Sequence, residues 1–208
     1  MIAIVDYGVG NLFSLRSSFA AVGVDVTVTS DKAVLDSSDG IILPGVGAFG
    51  DAAEKLRQSG LADVLVSLAR SGKPLMGICL GMQLLFEKSY EYGEHKGLGL
   101  IGGSVVPISD VIPNGLKIPH IGWNALNITK KSPIFSGAKT GDCVYFVHSY
   151  YAANCDSAVI ATTEYGAQLT AAVQEKNVFG CQFHPEKSGD VGLGILRAFS
   201  GLKEGEIC

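Results

Sequence analysis

Lys73-Pro-Leu-Met-Gly-Ile-Cys-Leu-Gly-Met-Gln-Leu-Leu-Phe86 is the most informative stretch of this chain. Leu75 to Ile78 reads as a short buried strand, and an apolar helix is predicted to start directly after Cys79. A residue at the centre of such a strand-to-helix turn is held in a strained, exposed pose. The flanking Gly77 and Gly81 remove side chains that would clash there. A thiol in that position sits over unpaired helix N–H groups, which favour an anionic sulfur. The pattern points to Cys79 as a nucleophile, although a buried structural cysteine in a glycine-flanked turn fits the same five residues.

The other end of the chain decides between the two. Asn177 to Phe183 reads as a buried strand that runs into His184-Pro185-Glu186. Pro185 lacks a donor and holds His184 extended, so the strand stops there. Residues two apart in extended chain project to the same side, so Glu186 can reach one imidazole nitrogen while the other faces a thiol. A thiol, a base and a carboxylate that orients the base are the parts of nucleophilic acyl transfer.

Outward from the cysteine turn, strands and helices alternate. Strands are predicted at Ile2 to Val5, Val24 to Thr29, Gly40 to Leu43 and Leu75 to Ile78, each apolar on both faces. Helices are predicted at Leu12 to Val22, Ala48 to Gln58 and Leu61 to Arg70, with a last one at Val191 to Phe199. From about Gly97 to Val173, short β-branched segments broken by Gly, Pro and Asn suggest antiparallel strands. The expected fold is therefore α/β: a doubly wound, mostly parallel sheet flanked by helices, with an additional antiparallel β segment. With no repeat, low-complexity tract or linker, residues 1–208 read as a single domain.

Composition narrows the function classes. Hydrophobic residues make up 47% and charged residues 17%, and mean hydropathy is +0.31, which is rich enough to expect apolar surface covered by a partner. No apolar run approaches the roughly 20 residues that span a bilayer, so no membrane role is expected. A net charge of −4 argues against nucleic acid as the main ligand. Five scattered cysteines without a Cys-x-x-Cys pair read as reduced thiols of a cytoplasmic protein, and the N-terminus reads as a first strand rather than a signal peptide.

Two glycine patterns invite a nucleotide reading. Gly97-Leu-Gly-Leu-Ile-Gly102 matches G-x-G-x-x-G, but Ser104-Val-Val-Pro107 follows it, and a dinucleotide loop must open a helix. Gly8-Val-Gly10 lies between strand and helix but lacks the third glycine, so it reads as a tight turn. No phosphate-binding lysine loop occurs, and neither a cofactor nor a metal is expected. Pro44-Gly45-Val46-Gly47 ends the third strand, where a glycine-rich backbone can turn an N–H toward a developing oxyanion, with the Leu80 N–H as second donor.

These residues together resemble the class I, or triad-type, glutamine amidotransferases, and the resemblance covers essentially the whole chain. It is carried by Asp6-Tyr-Gly-Val-Gly-Asn11, Leu43-Pro-Gly-Val-Gly-Ala-Phe49, Gly77-Ile-Cys-Leu-Gly-Met-Gln83 and Gly97-Leu-Gly-Leu-Ile101. It continues through Pro119-His-Ile-Gly-Trp-Asn124, Tyr145-Phe-Val-His-Ser-Tyr-Tyr151 and Phe183-His-Pro-Glu-Lys-Ser188. The fifth and sixth of these narrow it to glutaminase subunits that feed ammonia to a (β/α)8 cyclase forming imidazole glycerol phosphate and AICAR in histidine biosynthesis.

The resemblance implies Cys79 as nucleophile, His184 as base and acid, and Glu186 as orienter. L-glutamine would be held by Gly47, Gln83 and the backbone of Ser149 and Tyr150. Gly45 and Val46 would supply the oxyanion loop, and Asn11, Pro119, His120, Trp123, Tyr145 and Lys187 would meet the cyclase in a heterodimer or gate ammonia. Trp123 reads equally well as a core tryptophan, and His120 and His148 as hydrogen-bonded packing. His95 reads as a solvated loop residue, and Cys143, Cys155, Cys181 and Cys208 as inert thiols.

Gly189-Asp190 and Val106-Pro-Ile108 depart from the family pattern, which bears on partner contact and not on the triad. Three rivals stay open at this point: the glutaminase of pyridoxal phosphate synthesis, a ligand-binding module that keeps the sheet, and a peptidase-like cysteine hydrolase.

Overall fold

The computed structural model describes residues 1–205, so Cys208 lies outside the described residues. The chain opens with β1 (Ile2–Val5), α1 (Leu12–Ala21), β2 (Val26–Thr29), α2 (Lys32–Ser37), β3 (Gly40–Leu43), α3 (Phe49–Gln58), α4 (Leu61–Arg70), β4 (Leu75–Ile78) and α5 (Leu80–Leu84). The strands β5 (Phe86–Ser89), β6 (His95–Lys96), β7 (Ile101–Pro107), β8 (His120–Ile128), β9 (Cys143–His148) and β10 (Tyr150–Ala153) follow. Then come β11 (Val159–Glu164), β12 (Gln168–Glu175), β13 (Val178–Cys181) and the closing helix α6 (Gly189–Ser200).

Nine strands form one sheet in the order β2-β1-β3-β4-β13-β12-β11-β8-β9, and β10-β7-β5-β6 form a second. The first five of the large sheet are parallel and the rest antiparallel, as expected for a doubly wound sheet with an antiparallel extension. Strand alternation explains the two cores. Ala3, Val5, Ile41 and Leu43 face Ala52, Leu56, Leu61 and Leu65 of α3 and α4. Ile2, Ile4, Ile42 and Met76 face Leu15 and Phe19 of α1 and Ile195, Leu196 and Phe199 of α6. Each fully buried Leu, Ile or Phe stabilises this arrangement by about 1.5–3 kcal/mol.

Three local features go beyond what the sequence predicts. The helix after Cys79 lasts only five residues. Its next carbonyls are taken from outside: Leu84 O by Leu98 N (2.8 Å), Leu85 O by Leu100 N (2.9 Å) and Phe86 O by Gly99 N (3.1 Å). Those tertiary bonds pull the chain into β5 and give the Gly97–Gly102 run a structural purpose. A Cβ at Gly97 would lie 2.1 Å from Phe86 O. Second, β5, which precedes the segment from Gly97 expected to be antiparallel, pairs in parallel with β7 inside it. Third, α2 was not foreseen; Asp31 starts it by accepting a hydrogen bond from Ala33 N at 2.8 Å.

Candidate active site

The end of β4 delivers Cys79 at φ 55° and ψ −114°, a backbone region that non-glycine residues avoid. Two close approaches sustain that turn: a Cβ on Gly77 would lie 2.4 Å from Gly81 O, and one on Gly81 would lie 1.9 Å from Leu43 O. β13 is the neighbour of β4 in the sheet, in register Cys181 to Ile78, and Cys79 N donates to Cys181 O at 2.7 Å. The residues just past β13 therefore emerge beside Cys79 at the carboxyl ends of the parallel strands, where open α/β sheets bind ligands.

His184 Nδ1 lies 2.8 Å from Glu186 Oε1, and both side chains are almost wholly buried. Ser188 Oγ donates to His184 O at 2.6 Å and His184 N donates to Tyr145 O at 2.9 Å, which fix the backbone of the base. His184 Nε2 is buried without a hydrogen-bond partner, and Cys79 and Glu186 are the neighbours that favour the charged ring. Burial opposes charge on this ring, but Cys79 and Glu186 outweigh it and push the imidazole up to about 9.

That shift has a sign. Because the folded value lies above the ordinary 6.5, the proton's stabilisation is fully present below about pH 6.5 and is lost as pH rises through about 9. Activity that requires the imidazolium is expected to fall on an alkaline limb near pH 9. Glu186→Gln removes part of what raises the ring and is expected to move that limb to lower pH. Turnover measured from pH 6 to about 10 for both proteins checks it, and an unmoved limb would overturn the assignment of Glu186.

A cavity of about 390 Å³ opens over these groups. Val46, Gly47, Cys79, Leu80, Gln83, Ser149, Tyr150, His184, Pro119 and Lys187 line it, so most residues of the predicted site converge. Gly45 does not reach it; the residue packs on the Leu80–Gly81 backbone, where a Cβ would meet Gly81 N at 2.7 Å. Tyr7 OH donates to Pro44 O at 2.8 Å and anchors the start of that loop. Gln83 Nε2 donates to Tyr150 O at 3.1 Å.

The residues expected to meet a partner divide. Trp123 packs edge-on to Tyr145, and Lys187 Nζ lies 5.8 Å from the Tyr145 ring centre, which joins all three into one cluster. Trp123 is 55% exposed and is no core residue. Asn11 accepts a hydrogen bond from Ser14 N as the cap of α1. His120 is fully buried and hydrogen-bonded to His148 and Asn124, which agrees with the packing reading of this residue. Cys155 and Cys181 are buried thiols, raised by burial, and Cys143 is exposed.

Sequence reasoning missed three residues. Glu91 and His148 line the cavity. Gln182, wholly buried, donates through Nε2 to the Cys79 sulfur at 3.8 Å and accepts from Gln83 at 2.9 Å. Its position two residues before His184 was the one available signal, since period two puts both on the same side of the strand.

The glutamine amidotransferase class-I family matches residues 3–199. The chain belongs to that family. Among its relatives, the imidazole glycerol phosphate synthase subunit HisH of Caldanaerobacter subterraneus subsp. tengcongensis is 50% identical over 203 residues, covering 97% of this chain and 98% of the relative. The same-named subunit of Aquifex aeolicus is 49% identical, covering 97% and 96%. Among solved structures, a glutamine amidotransferase superposes with TM-score 0.76 at 19% identity, over 97% of this chain and all of that one. PurLQS from Thermotoga maritima follows at 0.74 and 22%, over 95% and 96%. At such identity these two speak for the fold alone, and they agree with the class I amidotransferase sheet. Among the described residues no helix is long and apolar enough to cross a membrane.

Proposed function

We propose that this chain is the glutaminase subunit of an imidazole glycerol phosphate synthase, hydrolysing L-glutamine to glutamate and ammonia in the cytoplasm for a cyclase partner in histidine biosynthesis. Half-identity to HisH subunits over nearly their full length carries this reading. The convergence of Cys79, His184 and Glu186 from opposite halves of the chain supports it. It also weighs against a binding module, which has no need of a strained cysteine beside an oriented base.

In this reading the Cys79 thiolate attacks the side-chain amide carbon of glutamine, forming a C–S bond. The oxyanion is met by backbone N–H groups of Leu80 and the Val46 loop. His184 gives its proton to the nitrogen as the C–N bond breaks, and ammonia leaves. Water then attacks the thioester and passes a proton to His184, and the C–S bond breaks to free glutamate and the thiolate. Gln83, Gly47 and the Ser149–Tyr150 backbone hold the substrate, and Glu91 offers a carboxylate for its ammonium group.

Ile121 (57% exposed) and Trp123 stand on the outward side of β8, and the Tyr145–Lys187 cluster links them to the cavity mouth. An apolar patch of that kind suits a cyclase surface. Glutamate release from glutamine is expected to rise at least about 100-fold when a (β/α)8 cyclase and its nucleotide ligand are added, the worth of one oxyanion donor. Equal turnover with and without the partner would refute coupling between the subunits.

A further inference from the structure

Tyr150 O, the carbonyl that receives the Gln83 amide, also receives a second donor. His148 Nδ1 lies 2.8 Å from it, His148 Nε2 lies 3.0 Å from His120 Nδ1, and His120 Nε2 lies 2.9 Å from Asn124 Oδ1. The Asn124 amide nitrogen in turn donates to Glu164 O at 2.9 Å. Antiparallel register places His120 directly opposite His148 on β8 and β9, and Asn124 follows His120 at i+4 on the same side of its strand. Phe146 and Tyr165 both stack on the His120 ring, at 5.1 and 4.1 Å between ring centres, so it has little freedom to turn away.

Counting protons shows what this row of groups must do. A carbonyl oxygen only accepts, so His148 must carry its proton on Nδ1 and present a lone pair at Nε2. His120 then carries its proton on Nδ1 and presents a lone pair at Nε2. Two neutral rings hold two protons, and the three contacts they make require three. Either the pair holds an extra proton, or Asn124 makes a half-turn so that its NH2 donates to His120.

The neutral solution is the cheaper one. Burial pushes His148 down to about 4 against the pull of the Tyr150 carbonyl, with His120 and His184 adding to it, and burial outweighs the Asn124 contact to lower His120. The titratable groups that line the cavity with His148 are Cys79, Glu91, Tyr150, His184 and Lys187, and the Tyr165 ring stacks on His120. A half-turn of Asn124 leaves two carbonyl oxygens facing each other at Glu164, and that contact is exposed, where water relieves it.

We propose that Asn124, His120 and His148 are positioning residues for the glutamine site. They form a one-directional row of hydrogen bonds, donated by Asn124 and ending on the Tyr150 carbonyl, that sets the Gln83 amide and, through Gln182, the Cys79 sulfur. This rests on the glutaminase reading above and extends it to His120 and Asn124, which are not among the residues lining the cavity. From the Tyr150 carbonyl to the sulfur every step is a hydrogen bond of the structure, Tyr150 O to Gln83, Gln83 to Gln182 and Gln182 to Cys79, and the Asn124 to His120 step is the 2.9 Å contact with the amide turned by half a turn.

The test uses Asn124→Leu and Asn124→Asp, with glutamine hydrolysis measured in the complex with the cyclase between about pH 5.5 and 9. Asn124→Leu has no donor and is expected to raise the KM for glutamine about tenfold at every pH, with kcat within about threefold of the parent. Asn124→Asp only accepts, so it closes the row when the imidazole pair is cationic and breaks it when the pair is neutral. Its KM, divided by that of the parent, is expected to be near one at the acid end and to climb about tenfold toward the alkaline end.

A merely structural asparagine would give ratios for the two variants that run parallel with pH, and that result would overturn the proposal. Nitrogen-15 NMR of histidine-labelled parent protein is an independent arm: both rings are expected as Nδ1–H tautomers at neutral pH, and Nε2–H on either ring would overturn it. If Asn124→Leu does not fold, the aspartate variant and the tautomers decide. If the parent complex releases no glutamate from glutamine, the glutaminase reading fails, and the tautomers still decide the row.

Discussion

Cys79→Ala is expected to lower glutamine hydrolysis by at least about 10⁴-fold, because the remaining groups can bind and polarise the amide but cannot form the thioester. The same substitution is expected to leave synthesis from added ammonium salts intact in the complex with the cyclase. Cys79 is almost buried at the end of β4, and its loss as a side chain removes only a sulfur from a site already open to a cavity. Steady-state assays with glutamine and with ammonium as alternative nitrogen sources check both halves. Loss of both activities would mean that Cys79 is structural, and retention of both would mean that the nucleophile lies elsewhere.

Gly81→Ala is expected to be the most damaging single methyl group near the site. In an exposed helix interior, glycine to alanine stabilises by about 1 kcal/mol. Here the added carbon would lie 1.9 Å from Leu43 O and 2.8 Å from Leu43 C, both backbone atoms of a fully buried strand. Neither can yield without moving α5 away from β3, so the sign reverses and a loss of at least about 3 kcal/mol is expected. Displacing α5 also moves the Leu80 N–H and Gln83, so turnover is expected to fall about 100-fold in whatever folds. Denaturant midpoints and turnover of the purified variant test this together; unchanged values for both would show that the turn has slack the coordinates deny.

The triad was readable because each part is written locally. Gly77 and Gly81 bracket a residue that only a tight turn can hold, and His184 and Glu186 share a side of extended chain through period two. The four parallel strands before Cys79 were equally plain: short, apolar on both faces and separated by amphipathic stretches. By contrast, the five-residue length of α5 was hidden, because the donors that end it, Leu98, Gly99 and Leu100, lie more than ten residues downstream. Which of its two readings holds for His120 was hidden for the same reason. In the chain it stands beside Trp123 in a motif that suggests a surface, and in the fold alternation along β8 turns the two to opposite sides.

Residue order alone thus picks out the candidates for the chemistry: the thiol proposed to attack, the ring proposed to move the proton and the carboxylate proposed to steer it. It does so because backbone strain, glycine need and strand period act over two to five residues. Folding settles how the attacking sulfur is held. Gln182, Glu91 and the Asn124–His120–His148 row take their roles from strand neighbours and cross-strand register, which pair residues 28 positions apart (His120 with His148) or 103 apart (Gln182 with Cys79). No local pattern encodes such meetings, since they follow from how the whole apolar surface is buried at once.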